Sequence, residues 1–302
     1  MATVTHPSNS LSSFEQTVAL KDGRLLGILQ TGDTDGFPVF YFHGSGSSRL
    51  ESLLWSDSAL ENGIKLISLD RPGIGLSDYQ SGYKVLDWPD DIAEVAEQLS
   101  IEKFAVIGMS MGGAYAMACA YKIPHRLTSC GLVSTISPAY ILIKAAPIFM
   151  RMMGWVAKNL TILYKAFLRL TVTDKLKTKT ADEKYLLQYS SILCEADRLI
   201  LSDNGKMQIL LQAMSESYRQ SALAGREAAL TLTKPWGFDL KDIKTESIYL
   251  WHGGKDGIMT INPIKLLVHE LPNCVSFIYP DEGHFSLAVN YSNEILSRLK
   301  SD

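Results

Sequence analysis

Apolar residues in this chain gather in short unbroken runs separated by polar, Gly-rich and Pro-rich stretches. Such runs over residues 37–42, 64–69, 104–107, 130–134, 247–251 and 275–279 predict strands, and residues 25–30 predict an edge strand before them. Residues 31–33 read as the turn that follows it. Helical periodicity lies between the runs. Over residues 85–99, Ile92, Val95, Ala96 and Leu99 fall on one face. Residues 114–120, 263–270 and 287–299 read as further helices, and a short one begins at Glu51. Strands that are continuously apolar, alternating with helices, predict a mostly parallel central sheet with helices on both faces, an α/β fold.

The rhythm changes between residues 137 and 235, where no strand pattern is visible. Helices are predicted there over 141–153, 155–170, 181–194, 206–218 and 222–232. The expected organisation is a tail and first edge segment at 1–24, a core of 25–136 with 236–302, and an inserted all-α cap at 137–235. Lys144, Arg151, Lys158 and Lys165 recur every seventh residue, so they share one helix stripe with apolar residues between them. An apolar roof over the site or an ordinary solvated stripe is favoured over a face resting on a membrane, because Pro147 and Gly154 interrupt the helix. Met150, Met153 and Trp155 are the candidate substrate contacts of this roof.

Composition narrows the function. The formal net charge of -3 gives no reason to expect a nucleic-acid partner. Cys119, Cys130, Cys194 and Cys274 are scattered without metal-ligand or redox spacing, so free thiols in a reducing compartment are expected, with no metal and no cofactor. The polar first 15 residues do not read as a secretory signal. No uncharged apolar run approaches the roughly 20 residues of a membrane span. The expectation is a cytoplasmic protein acting on a small molecule without stable membrane insertion. Oligomeric state leaves no mark on the sequence.

The chemistry centres on Gly108-Met109-Ser110-Met111-Gly112, where an apolar run passes at once into a helix of small residues. A Ser on so tight a strand-to-helix turn points its hydroxyl off the end of the sheet and is a candidate nucleophile. It needs a base, and the base needs an orienting carboxylate. Of the histidines downstream, His284 follows the last predicted strand in a Gly turn, and it is the best base by order and context. Asp256, in the loop after the strand ending at Trp251, is the favoured acid. Asp281 and Glu282 compete but adjoin His284 too closely. The developing oxyanion requires N–H donors, and Met111 and Ser45 are the candidates. His43 reads as a residue that holds the loop carrying Ser45. The Asp70–Ser77 stretch, with its Pro and two Gly, reads as a structural turn.

His43-Gly44, Asp70-Arg71-Pro72-Gly73-x-Gly75-x-Ser77, the Ser110 elbow, His252-Gly253-x-x-Asp256 and Gly283-His284-Phe285 together resemble the α/β-hydrolase superfamily over residues 25–299. The chain looks like the small esterase-like hydrolases with a helical cap. Dehalogenases and epoxide hydrolases of similar sequence carry Asp at the elbow. C–C bond hydrolases that cleave ring-fission diketones usually carry Gly-Pro-Gly after the His-Gly, where this chain has Gly46-Ser47-Ser48. The resemblance implies a serine hydrolase of carboxylic esters with an apolar part, working through an acyl-enzyme. C–C or amide hydrolysis by the same residues, and a ligand receptor on the same fold, are the alternatives.

Overall fold

The protein is described from a computed structural model. The description covers residues 14–145, 192–220, 231 and 233–300. Eight strands form one sheet in the order β1-β2-β4-β3-β5-β6-β7-β8. They are β1 (Phe14–Ala19), β2 (Leu25–Gly32), β3 (Phe37–Phe42), β4 (Ile64–Leu69), β5 (Phe104–Met109), β6 (Leu127–Val133), β7 (Ile248–Gly253) and β8 (Cys274–Tyr279). From β4 to β8 every neighbouring pair is parallel, and β2 runs antiparallel to both β1 and β4.

All six residues of β5 are buried, as a central parallel strand covered on both faces requires. On one face lie α2 (Trp88–Gln98), α3 (Gly112–Lys122) and α7 (Ile261–Glu270), with Trp88, Ile92, Met117, Ile264 and Leu267 in a common core. On the other lie α1 (Ser56–Glu61), α8 (His284–Asn290) and α9 (Ser292–Lys300), contributing Ala59, Leu287, Ile295 and Leu299. Pro89 opens α2, where its missing N–H costs nothing, and Asp90 and Asp91 face the positive end of the helix dipole.

Several sequence expectations change. The outer edge strand is β1, whose antiparallel ladder to β2 begins at Phe14, within the 1–24 stretch read as a tail and first edge segment. Residues 25–30 therefore form an interior strand, and it extends through Thr31 and Gly32, which had read as a turn. Alternation is weak in β1, which hid it from a search for apolar runs. Glu51 lies in a 3-10 turn, Arg49–Trp55, rather than an α-helix. The single last helix is two, α8 and α9, separated at Tyr291.

Between β6 and β7 the described elements are helical: α4 (Ala139–Ala145), α5 (Glu195–Ser202) and α6 (Asn204–Ser217). Asp203 caps α6 by accepting the Lys206 N–H at 3.0 Å. The helix α6 packs on the 3-10 turn at Arg49–Trp55, and α5 packs on α8. The helices expected over 155–170, 222–232 and most of 141–153 and 181–194 lie outside the described residues, as do Met150, Met153 and Trp155.

Candidate active site

Ser110 sits between β5 and α3 with φ of 53°, a left-handed conformation that only a strongly constrained non-Gly residue holds. Its N–H donates to Val133 O at 2.9 Å, and its carbonyl accepts from Gly113 and Ile136 N–H at 3.1 Å each. The turn is closed by contact. A Cβ on Gly112 would lie 2.0 Å from Phe42 O, and one on Gly108 would lie 2.4 Å from the Gly112 backbone. Only glycine lets strand, turn and helix approach this closely.

The strand after β5 supplies a second left-handed residue, Ser134, with φ of 45°. Its N–H donates to Trp251 O at 2.9 Å, and its Oγ donates to His284 O at 3.1 Å. The end of β6 thus connects the Ser110 turn to the backbone of His284. His284 is the first residue of α8 rather than a turn residue, and it is buried.

The ring of His284 meets Asp256. Nδ1–H donates to Asp256 Oδ2 at 2.8 Å, which leaves Nε2 with its lone pair in the neutral ring. The other oxygen of Asp256 accepts the N–H groups of Ile258 at 2.8 Å and Met259 at 2.7 Å. Burial pulls His284 toward the neutral form. The charges of Asp256, Asp197 and Glu51 outweigh it and hold the ring above the usual His range. Burial raises the Asp256 carboxyl, but the charge of His284, its hydrogen bond, and the Met259 N–H bring it below the usual range. Asp281 and Glu282 point elsewhere: Asp281 pairs with Lys255 at 2.8 Å, and Glu282 accepts from Asn290 at 3.3 Å. Among the described residues no hydrogen bond joins Ser110 Oγ to the His284 ring. Such bonds often tighten only when substrate is bound.

On the opposite wall, the loop after β3 carries His43, Gly44 and Ser45. His43 donates from Nδ1 to Gly44 O at 2.9 Å, so Nε2 is the ring's acceptor and faces the Arg71 N–H at 3.5 Å. Burial, and then the charge of Arg71, push His43 well below the usual His range. The Arg71 guanidinium donates to His43 O at 2.6 Å and to Gly44 O at 3.0 Å, with the Tyr115 ring 4.9 Å beneath it. Ser45 is exposed at the loop tip. Met111 is the residue before α3. Among the described residues neither the Ser45 nor the Met111 N–H has an acceptor.

Sequence reading missed Glu51 and Asp197 here and left Arg71 as part of a structural turn, without its contacts. Glu51 is buried and receives the Tyr41 hydroxyl at 2.6 Å and the Gly44 N–H at 3.1 Å. Arg71 grips the loop just described. Asp197, from α5, accepts N–H groups at the start of α8. Isolated carboxylates such as Glu51 and Asp197 gave no signal, because only the tertiary fold brings them to the site. Among the described residues no group of His, Cys, Asp or Glu is arranged to hold a metal ion.

A parallel α/β sheet with a strained Ser at a strand-to-helix elbow, and an Asp-His pair at neighbouring strand ends, defines a class of hydrolases. The chain belongs to the family described as alpha/beta hydrolase fold, whose model matches residues 38–291.

It is similar to a non-heme chloroperoxidase of Streptomyces lividans, 32% identical over 130 residues, covering 41% of this chain and 46% of that one. It is also similar to a pimeloyl-[acyl-carrier protein] methyl ester esterase of Legionella pneumophila, 34% identical over 94 residues, covering 30% and 35% of the two chains. The matches span less than half the length of these curated relatives. A solved bromoperoxidase from Bacillus anthracis shares the fold with a TM-score of 0.71 at 18% identity, covering 96% of this chain and all of that one. Among the described residues no helix is long and apolar enough to cross a membrane.

Proposed function

We propose that the protein hydrolyses carboxylic esters through an acyl-enzyme, with Ser110 as nucleophile, His284 as base and Asp256 as the orienting carboxylate. The observation that carries this reading is the 2.8 Å bond from His284 Nδ1 to Asp256 Oδ2, beside a Ser held at φ of 53°. Ser110 Oγ attacks the ester carbonyl carbon, and His284 Nε2 takes its proton. The proton passes to the leaving alcohol as the C–O bond breaks. Water, deprotonated by the same nitrogen, then attacks the acyl-enzyme. The acid leaves, and Ser110 regains its proton. The Met111 and Ser45 N–H groups receive the oxyanion at both steps.

The methyl ester esterase named above is the relative that favours ester over C–C or amide bonds. The elbow Ser and its Asp-His pair also favour an enzyme over a ligand receptor. Residues 137–235 are taken as a cap over the site, with Met150, Met153 and Trp155 contacting an apolar part of the substrate. The free thiols of Cys119, Cys130, Cys194 and Cys274 favour a cytoplasmic setting. The test is turnover of a series of p-nitrophenyl esters together with labelling by a fluorophosphonate. Labelling of wild type and not of Ser110→Ala, with ester turnover, is expected. A wild-type protein that neither turns over esters nor takes the label overturns the reading.

A further inference from the structure

Asp197 is the fully buried carboxylate near the site that the reaction above leaves unused. It lies in the first turn of α5, between β6 and β7 in the chain. Its Oδ2 accepts the N–H of His284 at 3.0 Å, and its Oδ1 accepts those of Phe285 and Ser286 at 2.8 Å each. These are first-turn donors of α8, which have no partner inside their own helix. Hydrogen bonds to an ionised carboxylate are about twice as strong as neutral ones. The approach needs a bare backbone: a Cβ on Gly283 would lie 2.2 Å from Asp197 Oδ2. On the far side of His284, Ser134 Oγ holds its carbonyl at 3.1 Å. The main chain of the base is therefore gripped at both N–H and C=O, while Asp256 sets its ring.

We propose that Asp197 is a positioning residue, which clamps the first turn of α8 and so lets α5 set the place of the His284 ring relative to Ser110. The inference rests on the reading of His284 as the base. A clamp made by an acid on a helix start adds favourable charge to that helix end. It also places negative charge by the imidazolium that forms when Ser110 gives up its proton. Among the described residues four titratable groups face that ring: Asp256 and His252 from the β7 side, Asp197 from α5 and Glu51 from the 3-10 turn. Of these only Asp197 binds the main chain of the base.

The test compares Asp197→Asn and Asp197→Ala with wild type, measuring ester turnover per fluorophosphonate-titrated site against pH. Asn retains an oxygen for Phe285 and Ser286 but loses the charge and turns an N–H group toward His284. The expected result is a fall in kcat of roughly tenfold for Asn and about a hundredfold for Ala, the scale of a misplaced catalytic group. KM should stay within about threefold, since no contact with substrate is removed. The acid limb of the rate profile should move to lower pH in both variants. A residue that only holds the fold together would change the number of active sites and leave kcat per site and the limb where they are, and that outcome overturns the proposal.

Should neither variant fold, hydrogen exchange on the wild-type protein decides. The amides of His284, Phe285 and Ser286 should exchange far more slowly than those of Asn293 and Glu294, exposed in the first turn of α9. Equal rates overturn the clamp. Full turnover by Ser110→Ala would instead remove the hydrolytic reading, whatever the exchange rates prove to be.

Discussion

Glu51 and Ser110 face each other across Gly44: a Cβ at Gly44 would stand 3.4 Å from Glu51 Oε2 and 3.5 Å from Ser110 Cβ. The carboxylate is anchored away from the hydroxyl by the Tyr41 O–H at 2.6 Å and the Gly44 N–H at 3.1 Å. It thus fixes the loop that carries Ser45. Replacing Glu51 with Leu leaves two buried donors without an acceptor, at about 1–3 kcal/mol each. Glu51→Leu is expected to melt well below wild type, whereas Glu51→Gln, which keeps an acceptor oxygen, should lie close to it. Calorimetry of the two variants checks this, and equal melting temperatures would show that the carboxylate does not anchor the loop.

Ser110→Ala should lose at least about 10⁴-fold in ester turnover, because the nucleophile is gone and only the oxyanion donors and binding remain. Ser110→Gly should be equally inactive and at least as stable as wild type. Glycine adopts φ of 53° without the steric cost a side chain carries there. Steady-state assays and thermal melts of both variants test the pair of expectations.

Asp256→Asn should cost roughly 10³ to 10⁴-fold in kcat, by disturbing the tautomer and orientation of His284. Asp281→Asn should change kcat by less than about twofold. Its salt bridge to Lys255 is exposed at both ends, and such pairs contribute little. A ranking in the opposite order would transfer the orienting role to Asp281.

The pH profile follows from the direction of the His284 shift. In the proposed reaction neutral His284 takes the Ser110 proton, and its ring is held above the usual His value of about 6.5 by Asp256, Asp197 and Glu51 against the pull of burial. Activity is therefore expected to be lost as pH falls through a midpoint above that value. A midpoint at or below it in a stopped assay, with the fold intact by circular dichroism, would mean that burial prevails over the three carboxylates.

The parallel core was legible in the sequence because β3, β4, β5 and β7 are buried on both faces and read as unbroken apolar runs. Ser110, Asp256 and His284 were named because each follows a strand and two of them adjoin glycines. The strand β1 escaped notice, since only Val18 of its six residues is buried. Glu51 and Asp197 escaped for another reason. A carboxylate in an amphipathic stretch reads as solvated surface, and only packing reveals that Asp197 is wholly enclosed. The partners of Asp197 are backbone N–H groups, 88 residues away in the case of Phe285, and backbone groups carry no sequence signature.

The link from Ser134 to His284 joins residues 150 positions apart. The elbow itself is local: Ser110, Gly113, Val133 and Ile136 complete its hydrogen bonds with nothing from β7 onward. Ser110 and His284, the proposed nucleophile and base, are thus assembled from separate instalments of the chain. A contiguous piece of chain that runs through Ile136 and stops before α8 holds every partner of the Ser110 turn, yet neither the proposed proton acceptor nor the helix start that Asp197 grips.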